Sequence, residues 1–325
     1  LSIGLIDAGA NAVTLVGNAN VTDAGSDSAT DIIGTTLTIN NGAGTPGSAG
    51  TITLDTAVAT LTLNGGTVTI HDGDGVDISS ISAISLDLLT TGAITDSGTV
   101  SVDNLAKFNS TGNSITLGDG TTASFGSLDF AGSTVSITES NAMVIEESQA
   151  TGALTLVAGG SITQTGVIDS ISTSGFDAGA NVITLSEAND FAGGVSLSNT
   201  GTNLVQITDA NAIDLGTINV GGDLTVNSTG AKLQRTSGAG GGLVVTNASG
   251  VVLGGEAPVE ISTAGDAIVI GNGSSGNITI GNGTNTITVT NSTTLDLSDL
   301  TSISFSNSTI SGLLSPSISY TPDDN

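Results

Sequence analysis

The 325-residue chain has no cysteine, no tryptophan and one tyrosine, and aromatic residues make up only 2% of it. Without cysteine there are no disulfides, no thiolate metal ligands and no cysteine nucleophile. Three Lys and Arg stand against 30 Asp and Glu, a formal net charge of −27. Nucleic-acid binders neutralise phosphates with clustered cations, and anionic bilayers recruit polybasic segments. Three basic residues supply neither, so nucleic acid and anionic membrane surfaces are not expected partners. No apolar run approaches the roughly 18 residues that a membrane-spanning helix needs, so no membrane insertion is expected. No charged segment followed by an apolar stretch opens the chain. It begins at Leu1 rather than Met, and so reads as a processed product or a segment of something longer. Charged residues total 10%, far below the roughly 25% of an average soluble domain. A solvated helical surface is built from Lys, Glu, Arg and Gln, and little of that material is present. Proline occurs four times, at Pro46, Pro258, Pro316 and Pro322, too sparsely to make a linker.

What the chain does contain is Gly, Ser, Thr and Asn around short aliphatic runs. Disorder is argued against by 37% hydrophobic content and a mean hydropathy of +0.31. The apolar residues are mainly Ile, Val and Leu, which fit pleated, half-buried surfaces. They alternate with Thr or Ser in phrases such as Thr51–Leu54, Thr60–Leu63, Thr67–Ile70, Ser114–Leu117, Val135–Thr138 and Gly194–Leu197. Period two with hydroxyls outside is the pattern of a strand with one buried face. Gly, Asn, Asp and Ser punctuate the phrases, as tight turns require. A 3.6-residue period is missing; the best helix candidate, Glu139 to Ala150, is short and reads as a decorated turn.

Internal repetition organises these strands. Asp7–Leu15 (DAGANAVTL) closely matches Asp177–Leu185 (DAGANVITL), and a weaker copy begins at Phe108. Gly92–Gly98 echoes Gly160–Gly166, and Glu139–Met143 (ESNAM) echoes Asp209–Ile213 (DANAI). The offsets from Phe108 to Phe176 and from Gly92 to Gly160 are both 68 and that from Asn141 to Asn211 is 70, too many short strands for one turn of a coil, so a third of the unit predicts rungs of about 20–24 residues, the size of a solenoid repeat. The predicted fold is all-β: a parallel β-helix (β-solenoid) of roughly 15 rungs. Each strand pairs with its equivalents above and below at ~4.8 Å, giving a rod near ~70 Å long. A single continuous β-helix is expected over 1–312, with 313–325 a tail or inter-subunit segment.

Gly160–Gly166 (GSITQTG), Ala188–Leu197 (ANDFAGGVSL) and Thr208–Gly216 (TDANAIDLG) resemble the repeat region of filamentous-haemagglutinin-like exoproteins. These are bacterial surface proteins exported by two-partner secretion. The resemblance is best over 88–240. It implies a right-handed coil, an extracellular location and a role as the shaft of an adhesin.

Candidate chemistry is thin. His71-Asp72-Gly73-Asp74-Gly75-Val76-Asp77 is the densest acidic cluster. Asp72, Asp74 and Asp77, alternating with Gly, resemble a calcium loop, because hard cations gather several carboxylate and carbonyl oxygens from a tight turn. The same residues also read as an acidic, Gly-rich corner between rungs. His71 is the only histidine, so no His-based metal site or triad can form around it. Glycosidase chemistry needs two positioned carboxylates; Asp209 with Asp214, or Glu146 with Glu147, would qualify by type, but nothing in the pattern selects them. Lys107, Lys232 and Arg235 are the only cations, the last two close enough in sequence to meet. Thr-x-Thr pairs and Asn-x-Ser/Thr sequons are scattered, at the frequency such a composition produces.

No enzyme is therefore expected. The first reading is a non-enzymatic, extracellular adhesive or structural shaft meeting an unspecified cell-surface receptor. The alternative is a filament subunit that self-associates end to end by stacking or strand exchange, with calcium the one cofactor the acidic cluster could recruit.

Overall fold

The computed structural model describes residues 1–17, 19–41, 50–110 and 112–220; beyond 223 it describes strand segments between 224 and 319, with side chains through 226 except at 212, 217 and 218. Every element among the described residues is a strand. The chain forms two compact units, Leu1–Gly159 and Gly160–Asn325.

The first unit opens with β1 (Ser2–Ile3), β2 (Ile6–Asp7), β3 (Val13–Gly17), β4 (Val21–Asp23) and β5 (Ile32–Asn41). There follow β6 (Ile52–Asn64), β7 (Thr67–Asp72), β8 (Val76–Ala83), β9 (Ser85–Thr90) and β10 (Ile94–Asn109). It ends with β11 (Ile115–Leu117), β12 (Ala123–Gly132), β13 (Val135–Glu139), β14 (Met143–Ile145), β15 (Ser148–Ala150) and β16 (Leu154–Ala158). The stretch 139–150, the best helical candidate in the sequence, is thus three strand segments. Its apolar residues Met143, Ile145 and Ala150 point inward in strand alternation and leave no helical face.

All the described pairings are parallel and link strands one coil apart. One series runs through Ser2↔Thr22, Val21↔Ile52, Ile52↔Val68, Val68↔Leu86, Leu86↔Ala106, Ala106↔Leu128 and Leu128↔Ile145. A second runs through Val13↔Leu37, Leu37↔Leu61, Leu61↔Ile78, Val76↔Ile94, Ile94↔Ile115, Ile115↔Val135 and Val135↔Leu154. The shortest step carries Ile52 to Val68, and the longest carries Val21 to Ile52. Several others, such as Val68 to Leu86 and Val76 to Ile94, are also shorter than the rung length predicted from the repeats, so the coil is often tighter than expected.

The second unit repeats the plan with β17 (Ile162–Gln164), β18 (Ile168–Ser170), β19 (Ser174–Asp177), β20 (Ile183–Phe191), β21 (Gly194–Ser198), β22 (Val205–Asn219) and β23 (Leu224–Leu233). Its registers Ile162↔Ile183, Ile183↔Val205 and Val205↔Leu224, with Val195↔Leu215 in a parallel series, advance by nearly even steps. Further short strands end at Ile318–Ser319. The rest of the expected tail 313–325 lies outside the described residues, as do Arg235, Tyr320 and the side chain of Lys232. The parallel sheet and its stacked coils form a β-solenoid, so the predicted parallel β-helix is the observed fold.

The alternation explains the interior. Val68, Ile70, Leu86, Leu88, Ala106, Phe108, Leu128 and Phe130 are buried at successive levels of one series. Each large aliphatic or aromatic side chain among them is worth about 1.5–3 kcal/mol when removed from water. The few rings pack against one another: Phe108 and Phe125 meet edge to face at 5.5 Å, Phe176 and Phe191 at 5.8 Å. Close approach between coils needs glycine at particular corners. Gly118 has a φ of 72°, and a Cβ there would run into the carbonyl oxygen of Thr138 in the next coil.

Candidate functional site

Three phrases share one design: Val68-Thr-Ile-His-Asp72, Val135-Ser-Ile-Thr-Glu139 and Val205-Gln-Ile-Thr-Asp209. Strand parity sends the valine and isoleucine inward, and it sends the acidic residue inward too. Asp72, Glu139 and Asp209 are each 1–2% exposed. A buried carboxylate must find donors, and these find them where the chain turns a corner and leaves backbone N–H groups outside the ladder. The Val58 amide and the Thr56 hydroxyl both donate to Asp72 Oδ2 (3.1 and 2.7 Å), and the Asp74 amide donates to Oδ1 (2.9 Å). Asp209 accepts from the amides of Phe191 (2.9 Å) and Asn211 (2.7 Å). Glu139 accepts from the Phe125 amide (2.8 Å), and its other oxygen has no partner. Burial raises the pKa of all three, against the pull of these donors, and carries that of Glu139 to about 7.

The acidic cluster read from the sequence is thereby divided. Asp72 faces inward and is bonded; Asp74 is exposed. Asp77 is half-buried and accepts from Ser97 Oγ (2.6 Å) and Thr95 Oγ1 (3.4 Å) in the next coil. The other nominated pairs are divided as well. Asp209 is buried while Asp214 is exposed; Glu146 takes the Ser127 hydroxyl (2.7 Å) while Glu147 is exposed. Lys107 stacks in register between Asp87 and Asp129 and bonds the latter at 3.1 Å. That contact raises the lysine's pKa, while burial outweighs it at Asp129, whose pKa also moves up.

Among the described residues the carboxylates that converge are Asp23, Asp31 and Asp55, whose oxygens lie within 4.8 Å of one another. Asp23 and Asp55 line a surface hollow with Thr22, Thr53 and His71, whose Nδ1 lies 3.3 Å from Asp55 Oδ1. Asp23 takes the amides of Gly25 (2.6 Å) and Asp27 (2.8 Å), and the Gly25 contact holds it below the usual carboxylate range. Asp31, 4% exposed, is raised by burial and accepts from the Asp55 amide (3.0 Å). Three carboxylates brought together by coil stacking are the right type of donor for a hard cation. The sequence reading missed this group because its members are scattered along the chain and only the stacking joins them. It also missed the buried amide pair Gln164–Asn189, whose side chains exchange bonds of 2.8 and 3.0 Å, with Asn189 also accepting from the Ile168 amide (2.9 Å).

Sequence repeat and coil do not coincide in the first unit. Three turns carry Val68 to Leu128, yet its repeat equivalent Val135 comes later and pairs in the other series, with Ile115 and Leu154.

The molecule is therefore a repeat protein of the parallel β-solenoid class, with acidic side chains built into its corners. The family model "Repeats of unknown function" (DUF5649) matches at 65–129, 132–198 and 201–265. These matches cover more than half of the chain, which belongs to that family. No curated protein and no solved structure matches it.

Proposed function

We propose that the chain is a non-enzymatic structural protein, the β-helical shaft of a bacterial surface adhesin or exoprotein that acts outside the cell. The observation that carries this reading is the use made of the acidic residues. Asp72, Asp77 and Asp209 each bond groups one coil away, so these carboxylates fasten the stack. Asp96 does the same, taking the Gly118 amide at 2.9 Å and the Thr121 hydroxyl. The outward strand positions are rich in Thr, Ser, Asn and Asp, and the chain offers three Lys and Arg in all as tryptic sites. Both features suit prolonged exposure to extracellular proteases. The resemblance to filamentous-haemagglutinin-like repeats points the same way. An antibody raised against the chain should label intact source cells, and proteinase K should remove the label without lysis. Label that appears only after lysis overturns the reading.

A second reading is end-to-end self-association into a filament. The −27 charge opposes contact between copies, so assembly on this reading requires salt or divalent cations. Electron microscopy across a NaCl and CaCl2 series tests it; separate particles at every condition sink it.

A further inference from the structure

We propose that Glu139 is a pH-operated latch between two successive coils of the first unit, closed while its carboxyl carries a proton and released when it ionises. The argument starts from geometry. The side chain sits at the inward end of β13, 1% exposed, and reaches back to the Phe125 amide near the start of β12. That bond is joined by two others at the same corner: the Ser140 amide and hydroxyl both donate to the Ala123 carbonyl, at 2.9 and 3.0 Å. The second carboxyl oxygen is buried without a partner. An ionised carboxylate in that place would hold a full charge against apolar walls with one donor, whereas the neutral acid removes the charge from the same space.

No cation among the described residues compensates. β11 and β16, which flank β13 in the sheet, carry no ionisable side chain. On β12 the ionisable group is Asp129, at an outward position and bonded to Lys107 of β10. Also on β10, one coil below, Asp96 is engaged by Gly118 and Thr121, and Asp103 is exposed. Asp119, on the turn before β12, is exposed, and Glu146, after β14, is bonded to Ser127. Burial raises the pKa of Glu139 to about 7, with the Phe125 amide pulling the other way and no charged group contributing.

The sister corners show why this one is special. Asp72 has three donors and Asp209 two, because an aspartate is short enough to accept the amide two residues ahead (Asp74, Asn211). Glu139, one methylene longer, reaches past that amide. The sign follows: the folded chain holds this proton more tightly than the unfolded chain, so the closed corner is favoured at low pH and weakens as pH rises through about 7.

The test is amide hydrogen exchange of the whole chain at pH 6.0 and 8.5, expressed as protection factors so that the intrinsic pH dependence cancels. Protection at Phe125 should fall roughly tenfold, the fall set by the interval between pH 6.0 and the folded pKa of about 7. Protection at Val58 and Phe191, held by aspartates, should stay within about threefold. The fall should persist in a His71→Gln background and vanish in Glu139→Gln. Equal behaviour at the three amides overturns the proposal, and so does a fall that survives in Glu139→Gln. The wild-type comparison stands alone if that variant does not fold.

Discussion

The corners at Asp72 and Glu139 are written in nearly the same phrase, are equally buried and lie in the same unit, yet they solve the problem of an internal acid in opposite ways. At Asp72 three donors meet the carboxylate, and the group can be charged inside the coil. At Glu139 one donor meets it, and the group is stable there as the neutral acid. The difference is one methylene and the donors in the coil below, Thr56 and Val58 at Asp72 against the Phe125 amide alone at Glu139. Burial alone therefore does not say what an acidic residue contributes. The donor count decides whether it strengthens the stack at neutral pH or leaves it sensitive to pH.

That contrast can be broken most severely by Asp72→Ala, which strands the Val58 and Asp74 amides and the Thr56 hydroxyl; a loss of about 4 kcal/mol in denaturant unfolding is expected at pH 7. A loss below about 1 kcal/mol would mean that water replaces the carboxylate. Next in size is the pH slope at Glu139. With a folded value of about 7 against 4.5 unfolded, its contribution is intact below the unfolded value and is lost as pH rises through 7. The fall approaches about 3 kcal/mol by pH 9, and Glu139→Gln should flatten it. Asp72→Asn sharpens the comparison, since an amide presents one acceptor oxygen and two donor hydrogens to a site built of donors. About 2 kcal/mol should be lost, equally with and without calcium, because the carboxylate is already occupied by protein donors. The smallest effect belongs to Lys107→Met. Its ion pair with Asp129 is partly exposed, so thermal unfolding should register less than about 1 kcal/mol, shrinking further in high salt.

The fold was legible because the inward face of a narrow parallel coil must be apolar at every second residue, and Thr60–Leu63 or Val135–Thr138 say so without help. The long internal repeat was also legible, and it agrees with the spacing of the family matches. The corners were harder. Asp72 followed by Gly-Asp-Gly has the look of a loop, and loop acids are read as solvated or metal-bound. Parity held the missing signal: Val68, Ile70 and Asp72 are in phase, as are Val135, Ile137 and Glu139, so both acids continue an inward stripe. Counting in twos through the end of the strand places Asp72 inside, where the Thr56, Val58 and Asp74 donors meet it. The Asp23–Asp31–Asp55 group obeys no such local rule. Its members meet beside the Val21↔Ile52 pairing, the longest step in the stack, an offset that no short-range pattern announces.

The mismatch between repeat and coil has a bearing on how such a gene can change length. In the first unit one repeat advances the chain by three turns and part of a fourth, so neighbouring copies of a phrase land in different strand series. Each copy must fold in either setting, and Val68–Asp72 and Val135–Glu139 do. A recombination event that removes or adds one whole copy would therefore hand the following residues to the opposite series without presenting them with an unfamiliar neighbour. Growth and shrinkage by single copies become structurally neutral steps. What would change is only which side displays the outward residue two places past each internal acid, Asp74 in one copy and Asn141 in the next.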